Sequence, residues 1–243
     1  MKKIKNRHVL IAGAAPSLKK YWKQIDNFIK KNNITTIGGN HVNHIFSPDY
    51  SFWGSSKRWK KYGGFVNKNS ILVLPPIGMD KVVKKHWQGQ YIKCDIKKIH
   101  LKCCRKAKSI YHCFKNITMV AAFWAYEKGA TKISIVGMDG YTFCKKEDLN
   151  SKRLSQHCYG KGNTDGFNYN FCRRKDIRYY ERLKMLHKCG KEQYGFGLQI
   201  LTPTIYKKFY NSKVLDIQDT YNIEEPSIEE KKNLGSWAKS KNG

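Results

Sequence analysis

The sequence predicts an α/β fold in which helices flank a mostly parallel β-sheet, and three observations support this. Short apolar runs alternate with longer amphipathic stretches along the 243 residues. The run Ile71–Leu74 is apolar throughout, as is typical of strands that are covered on both faces. The apolar run 8–12 leads through a turn of small residues directly into a helical pattern. Strands that alternate with helices imply parallel pairing through right-handed crossovers.

The predicted elements can be placed in chain order. The first helix carries Trp22, Ile25 and Phe28 at helical spacing. Ser17 is its predicted N-cap, and Gly129 suits the position just after a later helix. The predicted strands span residues 8–12, 35–38, about 50–53, 71–74, 131–136 and 198–201, and the predicted helices span 17–31, 116–128 and 173–188.

The chain length predicts one catalytic domain with two irregular segments. We place this domain at residues 1–210 and a polar C-terminal extension at 211–243. Residues 81–115 are interpreted as a basic insertion outside the core, because ten of the 28 residues from 81 to 108 are Lys or Arg. Residues 141–172 are rich in Gly, Asn, Ser and Lys and are interpreted as a mobile lid loop.

Charge is the strongest signal in the composition. The chain has 47 Lys and Arg residues against 18 Asp and Glu, a formal net charge of +29. Such an excess attracts polyanions, so nucleic acid is the first candidate partner and an anionic membrane surface the second, with solubility as the plain alternative. The candidate polyanion-binding residues are Lys84, Lys85, Lys97, Lys98, Arg105, Arg173, Arg174, Lys175 and Arg178.

The cysteines and the N-terminal residues predict a cytoplasmic protein, either bacterial or, for a viral chain, in the host cytoplasm. Eight cysteines are present without a CxxC pair or a common zinc spacing, which favours reduced thiols and no metal requirement. The apolar run before Pro16 is too short for a secretory signal. No stretch approaches the roughly 20 apolar residues that a membrane span needs.

Ligand-binding residues are expected just after the strands, because ligands of parallel sheets bind beyond the carboxyl ends of the strands. The turn 13–17 lets backbone N–H groups approach a phosphate at a helix N-terminus, or it is simply a tight βα turn. Asn40 is placed to bind a base or a sugar, or to serve as a turn residue. Asp139 is placed to bind a ribose hydroxyl, an acceptor or a cation, or to cap the segment that follows it.

The lid loop contains further candidates. His157 is a candidate general base, because imidazole titrates near neutral pH. Tyr159 and Lys161 are candidate ligands of phosphate oxygens. A loop of this composition can close over a substrate and exclude water, although a lone loop histidine is more often only solvated.

Three anchors of the sequence carry a resemblance to a known enzyme family. They are Ile11-Ala12-Gly13-x-x-Pro16-Ser17-Leu18, Asn40, and Gly129-Ala130-x-Lys132-Ile133-x-x-x-Gly137-Met138-Asp139-x-Tyr141. Together they resemble the bacterial sialyltransferases of glycosyltransferase family 42 and the related MptE-like (DUF115) proteins. The resemblance implies a Rossmann-like fold of the variant GT-A or sialyltransferase type. Carried over, it implies a nucleotide-sugar site lined by Gly13, Ala15, Ser17, Asn40, Thr118, Gly137, Asp139 and Tyr141.

The resemblance also exposes a departure at the catalytic position. When the C-terminal helices are aligned on Asp176, the position of the family's catalytic histidine is occupied by Phe171. His157 and Asp139 are therefore the candidate bases in this chain.

The function predicted from these residues is sugar transfer from a CMP- or UDP-type nucleotide-sugar to a hydroxyl of an anionic acceptor. Modified nucleic acid, as in viral DNA hypermodification, is the leading acceptor, and a glycolipid at a membrane surface is the alternative. Two other function classes stay open, an MptE-like pyrophosphokinase and a nucleic-acid-binding protein without catalysis. Oligomeric state is not predicted.

Overall fold

The computed structural model of the protein describes residues 7–74, 79–83, 86–94, 116–143, 158, 168–221 and 227–229. They form a Rossmann-like α/β architecture, which confirms the predicted fold class. Seven strands make one sheet in the order β5-β4-β3-β2-β1-β6-β7, and every neighbouring pair is parallel. The strands are β1 (His8–Ala12), β2 (Thr35–Gly39), β3 (Tyr50–Phe52), β4 (Ile71–Leu74), β5 (Tyr91–Lys93), β6 (Lys132–Val136) and β7 (Gln199–Ile200).

Helices cover both faces of this sheet. They are α1 (Pro16–Lys20), α2 (Trp22–Asn32), α3 (Ser56–Tyr62), α4 (Met79–Val83), α5 (Ile117–Glu127) and α6 (Tyr169–Tyr194), with 3-10 turns at Gly63–Phe65, Lys207–Phe209 and Ser212–Val214. The first four helices pack on one face, and α5 and α6 pack on the other. Residues 118–126 of α5 are all buried, as expected of a helix that is apolar on every side. Trp124 of α5 packs edge-on against Tyr50 and Phe52.

The single helix predicted for residues 17–31 is two helices, because the backbone breaks at Tyr21 (φ −109°, ψ 22°). The prediction that Ser17 is the N-cap is wrong. Ala15 occupies that position and Pro16 the first helical one, where a proline is well suited because its missing N–H has no intrahelical partner there. Gly129 has a φ of 94°, which confirms its predicted place after the end of α5.

The helix α6 is longer than predicted and takes in residues 169–172, which the sequence analysis places in the lid loop. The side chain of Asn168 caps its start by accepting a hydrogen bond from the Phe171 N–H at 2.9 Å. Gly195, with a φ of 75°, ends it. Both capping residues are of the expected type, so the bounds were readable from the sequence.

The interpretation of residues 81–83 and 86–94 as lying outside the core is wrong. Met79 and Val83 of α4 are buried, and Tyr91–Lys93 extends the sheet as its edge strand β5, paired with β4. Cys94, directly after β5, is buried as well. The rest of the basic segment, residues 95–115, lies outside the described residues.

The described part of the C-terminal extension returns to the face that carries α1 and α2. Leu215 and Ile217 are buried there, and the carboxylate of Asp219 accepts hydrogen bonds from the hydroxyl of Tyr21 and, at 2.5 Å, from Lys20 Nζ. No helix within the described ranges is long and apolar enough to cross a membrane.

One cysteine departs from the expectation of reduced thiols. Cys189 in α6 is disulfide-bonded. No disulfide joins Cys189 to the other described cysteines, Cys94, Cys158 and Cys172. Residue spacing alone could not reveal this pairing, because it depends on which distant segments the fold brings together.

Candidate functional site

The topology creates one crevice beside the central strand. From β1 the chain moves outward through β2 to β5, and it then crosses back through α5 to β6 on the other side of β1. The connections that leave β1 and β6 therefore cover opposite faces of the sheet. A crevice opens at the carboxyl ends of the strands at such a switch point, and ligands of this fold class bind there. The segments 13–17 and 137–141 flank it, as the sequence predicted.

Gly13 and Gly137 bring the two turns at the switch point into backbone contact. A Cβ atom on Gly13 would lie 2.4 Å from the Gly137 carbonyl oxygen, and one on Gly137 would lie 2.3 Å from that of Gly13. Gly137 also has a φ of 64°. The N–H of Gly13 donates to the Val136 oxygen at 2.8 Å and that of Ala15 to the Gly137 oxygen at 3.1 Å. Two backbone N–H groups of the turn after β1 are therefore used in hydrogen bonds to the end of β6 and the turn that follows it.

Asp139 occupies the position where a phosphate was expected. Its side chain is fully buried and accepts hydrogen bonds from the Ser17 N–H at 2.9 Å, from the Ser17 hydroxyl, and from the Tyr221 hydroxyl at 3.1 Å. The hydroxyls of Ser17 and Thr202 lie 2.9 Å apart, and Thr202 Oγ1 accepts from the Gly137 N–H at 3.0 Å. Burial raises the pKa of Asp139 to about 6, although these hydrogen bonds favour the ionised form. The carboxylate of Asp139 is thus the acceptor for the N–H and the hydroxyl of Ser17 in the first turn of α1.

Asp176 is a second buried carboxylate, and it fixes the segment after β6. It accepts from the backbone N–H groups of Tyr141 and Thr142, from the Thr142 hydroxyl at 2.8 Å, and from the Tyr206 hydroxyl at 2.9 Å. Burial raises its pKa to about 6. Sequence reasoning used Asp176 only as an alignment point. An acid flanked by the apolar positions of an amphipathic helix was the available signal.

Tyr141 lies in a group of aromatic rings and cations. The centroid of its ring is 5.8 Å from that of the Tyr179 ring. Lys175 Nζ lies 4.9 Å from the centroid of the Tyr141 ring. The guanidinium of Arg182 lies 5.9 Å from the Tyr179 ring. Burial raises the pKa of Tyr141, and the positive charge of Arg58 in α3 opposes that rise. Positive charge from two helices therefore converges on the residue predicted to bind the nucleotide-sugar.

Asn40 lies directly after β2 in a left-handed backbone conformation, with a φ of 55°. Its side chain is buried, and its Oδ1 has no hydrogen-bond partner in the structure. The Oδ1 of Asn43 is in the same state. Sequence reasoning missed Asn43, although the Asn-x-x-Asn spacing after a strand end was visible.

Thr118 connects the ends of β1 and β2 to the start of α5. Its Oγ1 lies 3.2 Å from the position of a Cβ on Gly13 and 3.5 Å from that of a Cβ on Gly39. Asn116 caps α5 by accepting from the Thr118 N–H at 2.8 Å. The structure thus brings the predicted lining residues to one edge of the sheet: Gly13, Ala15, Ser17, Asn40, Thr118, Gly137, Asp139 and Tyr141. Their role in binding a ligand stays a prediction.

Between residues 144 and 167 of the lid loop, the structure describes one residue, Cys158. Its N–H donates to the Ala14 carbonyl oxygen at 2.8 Å, so the loop reaches the turn after β1 at this point. Burial raises the pKa of the Cys158 thiol to about 12, which leaves it protonated at neutral pH. The other predicted loop residues, His157, Tyr159 and Lys161, lie outside the described residues.

The predicted polyanion-binding residues that the structure describes lie on α6. Arg178 is exposed, and Arg173 and Arg174 are half-buried. Lys175 instead points to the group around Tyr141, where its Nζ also lies 4.8 Å from the Phe171 ring. The remaining predicted residues, Lys84, Lys85, Lys97, Lys98 and Arg105, lie outside the described residues.

In the part of the chain that the structure describes, no three His, Cys, Asp or Glu side chains are grouped as metal ligands would be. Comparison of the chain with models of known protein families and with curated proteins finds no match to either.

Proposed function

We propose that the protein is a glycosyltransferase that moves a sugar from a CMP- or UDP-type nucleotide-sugar to a hydroxyl of an anionic acceptor. The observation that carries this proposal is the convergence of the turn 13–17, Asn40 and Tyr141 on the switch point of an all-parallel sheet. Crevices of this kind hold nucleotides in proteins of this architecture. The sequence anchors that resemble sialyltransferases lie at the same edge.

The two sides of the crevice differ in charge, which suggests how the donor would lie. The side at Asn40 carries neutral polar groups, and the side at Tyr141 carries Lys175 and the nearby Arg58. A nucleotide-sugar has a neutral nucleoside and charged phosphates. We therefore place the nucleoside toward Asn40 and the phosphates toward Tyr141.

The proposed reaction follows from the chemistry of glycosyl transfer. The acceptor hydroxyl attacks the anomeric carbon of the sugar, the bond from that carbon to the phosphate oxygen breaks, and the nucleotide leaves with the bonding electrons. A base takes the proton of the hydroxyl. His157 is the proposed base, because Asp139 is sealed from solvent and occupied by Ser17 and Tyr221. Asp139 is proposed to position the two turns.

The net charge of +29 supports an anionic acceptor. Nucleic acid is the proposed one, because each phosphate that a lysine or arginine neutralises releases counterions. An anionic membrane surface that carries a glycolipid is the alternative acceptor, because the same positive charges would attract it.

The experiment is a thermal-shift screen with CMP-, UDP-, GDP- and dTDP-sugars, each with and without duplex DNA, followed by product analysis of any stabilising donor. The expected result is stabilisation by one nucleotide class and release of its nucleotide when an acceptor is present. Asn40→Ala should remove the stabilisation, and Asn69→Ala, at an exposed turn position, should keep it. If no nucleotide-sugar shifts the melting temperature, the proposal is wrong.

Two observations favour a second candidate, a nucleic-acid-binding protein without catalysis. Phe171 stands where the resembling family has its catalytic histidine, and Asp139 seals the first turn of α1 against a phosphate. This candidate predicts salt-dependent DNA binding without turnover of any nucleotide-sugar.

A further inference from the structure

The helix α3 carries positive charge that its own segment of the chain does not neutralise. Residues 50–79 contain five Lys or Arg residues and no Asp or Glu. On α2 and α6, by contrast, exposed lysines pair with acids of the same helix. Lys30 Nζ, for example, lies 2.6 Å from the carboxylate of Asp26. The charge of α3 is therefore suited to a partner that brings negative charge of its own.

The lysines of α3 share one face of the helix. Lys57, Lys60 and Lys61 are all exposed, and their spacing of three and four residues places them on the same side. The opposite side is anchored by Trp59, which is buried and packs edge-on against Trp53 with ring centroids 5.1 Å apart. The outer face of α3 is thus cationic, and the core beneath it fixes its orientation.

An exposed aromatic ring lies at the end of this face. Phe65, in the 3-10 turn after α3, is 62% exposed. The centroid of its ring is 5.4 Å from that of the His41 ring. The His41 ring in turn stacks on Tyr62, with centroids 4.1 Å apart and planes 6° apart. Single exposed rings are common on protein surfaces, but this one is backed by two further rings and follows three exposed lysines. We call Lys57, Lys60, Lys61 and Phe65 together the α3 surface.

The combination of lysines with one exposed ring points to a particular kind of polyanion. Proteins that bind single-stranded nucleic acid combine cations that follow the phosphates with aromatic rings on which bases stack. A duplex keeps its bases stacked on each other, so it gains nothing from such a ring. Helices that lie on a membrane present a face of several apolar side chains. The outer face of α3 presents lysines, and Phe65 alone is too small to replace an apolar face.

The α3 surface leads to the candidate site. The helix starts at Ser56, shortly after β3, so its first turn lies at the carboxyl edge of the sheet. A Cβ on Gly54 would lie 3.1 Å from Ile117 at the start of α5. The positive charge of Arg58 is close enough to Tyr141 to oppose the rise of its pKa. A strand bound along α3 would therefore reach the crevice at the first turn of the helix.

We propose that the α3 surface binds single-stranded nucleic acid, with a base stacked on the ring of Phe65 and phosphates paired with Lys57, Lys60 and Lys61. This surface is separate from the basic residues predicted on α6. The role of the strand as the acceptor rests on the proposed function, since the crevice beside α3 would have to hold the sugar donor.

The test of the stacked base is fluorescence anisotropy of the full chain with a labelled thymidine oligonucleotide of about 15 nucleotides, and with a duplex of the same length. Phe65→Ala is expected to weaken binding of the single strand about tenfold by removing one stacked base, and to leave duplex binding unchanged. Phe65→Trp should bind the single strand at least as tightly as the native chain, because an indole also stacks on bases. Phe196→Ala is the matched control and should change neither affinity, since Phe196 is similarly exposed, at 56%, but follows α6.

The test of the phosphate contacts is the salt dependence of single-strand binding. The double variant Lys60→Met/Lys61→Met should reduce the salt slope by about 1.4, which corresponds to two phosphate contacts on a single strand. Lys207→Met/Lys208→Met is the matched control, because these lysines are also adjacent and exposed but follow β7, which ends the described sheet on the other side. That control should leave the slope unchanged. Equal slopes in the two double variants would overturn the proposed phosphate contacts.

Three further outcomes decide the proposal. It is overturned if Phe65→Ala binds the single strand as tightly as the native chain, or if it loses single strand and duplex equally. It is also overturned if Phe65→Ala weakens binding only to vesicles of equal parts phosphatidylglycerol and phosphatidylcholine, because the surface then serves a membrane. The screen with nucleotide-sugars tests the proposed function separately. Single-strand binding as expected, without binding of any nucleotide-sugar, supports the α3 surface and overturns the proposed function.

Discussion

The carboxylate of Asp139, in the segment after β6, accepts hydrogen bonds from both the backbone N–H and the hydroxyl of Ser17 in α1. These residues are 122 positions apart in the chain. The contact crosses the switch point and supplies the first turn of α1 with the acceptor that a local N-cap would otherwise provide. It joins the two turns that flank the crevice, so the geometry of the candidate site depends on it.

Asp139→Asn should flatten part of the pH dependence of stability. Burial raises the pKa of Asp139 from 3.8 to about 6 in the folded chain, so the protonated form favours folding. Its contribution is full below its unfolded pKa and is lost as the pH rises through the folded one. Relative to the asparagine variant, the native chain should lose about 3 kcal/mol of unfolding free energy between about pH 3.5 and pH 7. Urea unfolding of both proteins at several pH values measures this difference.

The comparison with the variant is necessary because other groups titrate over the same range. Protonation of exposed acids at low pH increases the repulsion within a chain of net charge +29. That effect is common to both proteins and cancels in their difference. A difference that stays constant from acid to neutral pH would contradict a raised pKa at Asp139.

Tyr221→Phe should remove one of the hydrogen bonds that Asp139 accepts, the one from the C-terminal segment. The Tyr221 hydroxyl donates to Asp139 at 3.1 Å, and this bond favours the ionised carboxylate. Its removal should lower the unfolding free energy by about 1 kcal/mol at neutral pH and raise the pKa of Asp139 further. The measurement is again urea unfolding against pH.

Tyr210→Phe provides the matched control for Tyr221→Phe. Its hydroxyl donates to the carbonyl oxygens of Ile217 and Asp219 in the same segment and does not touch Asp139. It should lower stability by a similar amount without moving the pH profile. An identical shift of the profile in both variants would show that the segment, and not the bond to Asp139, causes it.

The sequence predicted the strands that are apolar and buried, and it predicted which loops meet at the sheet edge. β1, β4 and β6 are runs of four or five residues with little polarity, so their pattern is unambiguous. The strand β5 was missed because it is three residues long, exposed at two of them, and located at the described edge of the sheet. Such a strand has no periodicity to detect, and its pairing with β4 comes from tertiary context.

The polar partners within the site were not predictable for a different reason. Asp139 and Asp176 look alike in sequence, as acids near apolar residues, yet each is satisfied by donors far away in the chain. The partner of an acidic side chain is set by which strand ends the topology brings together. Ser17 was therefore predicted to serve a ligand, whereas its hydroxyl and N–H serve Asp139.

Gly13→Ala should disrupt the switch point itself. A Cβ at Gly13 would lie 2.4 Å from the Gly137 carbonyl oxygen, and a backbone atom cannot move aside as a flexible side chain would. We expect a loss of at least about 3 kcal/mol in unfolding free energy, from steric overlap between β1 and β6. Gly64→Ala is the control, because a Cβ there meets nothing within 4 Å. Similar stabilities of the two variants would contradict the close approach of Gly13 and Gly137.

Lys175→Met and Arg178→Met should separate nucleotide binding from polyanion binding, although both residues lie on α6. Lys175 Nζ lies 4.9 Å from the Tyr141 ring at the crevice, whereas Arg178 is exposed on the outer side of the helix. Lys175→Met should weaken nucleotide-sugar binding about tenfold by removing a charge next to the phosphates, and should leave the salt dependence of DNA binding unchanged. Arg178→Met should leave nucleotide-sugar affinity unchanged and reduce the salt slope of DNA binding by about 0.9, the value for one phosphate contact.

Two measurements test both variants: titration calorimetry with the nucleotide-sugar, and DNA binding at several salt concentrations. If Lys175→Met alters only the DNA slope, the lysine belongs to an outer basic surface. The phosphates of the donor would then have to bind elsewhere in the crevice.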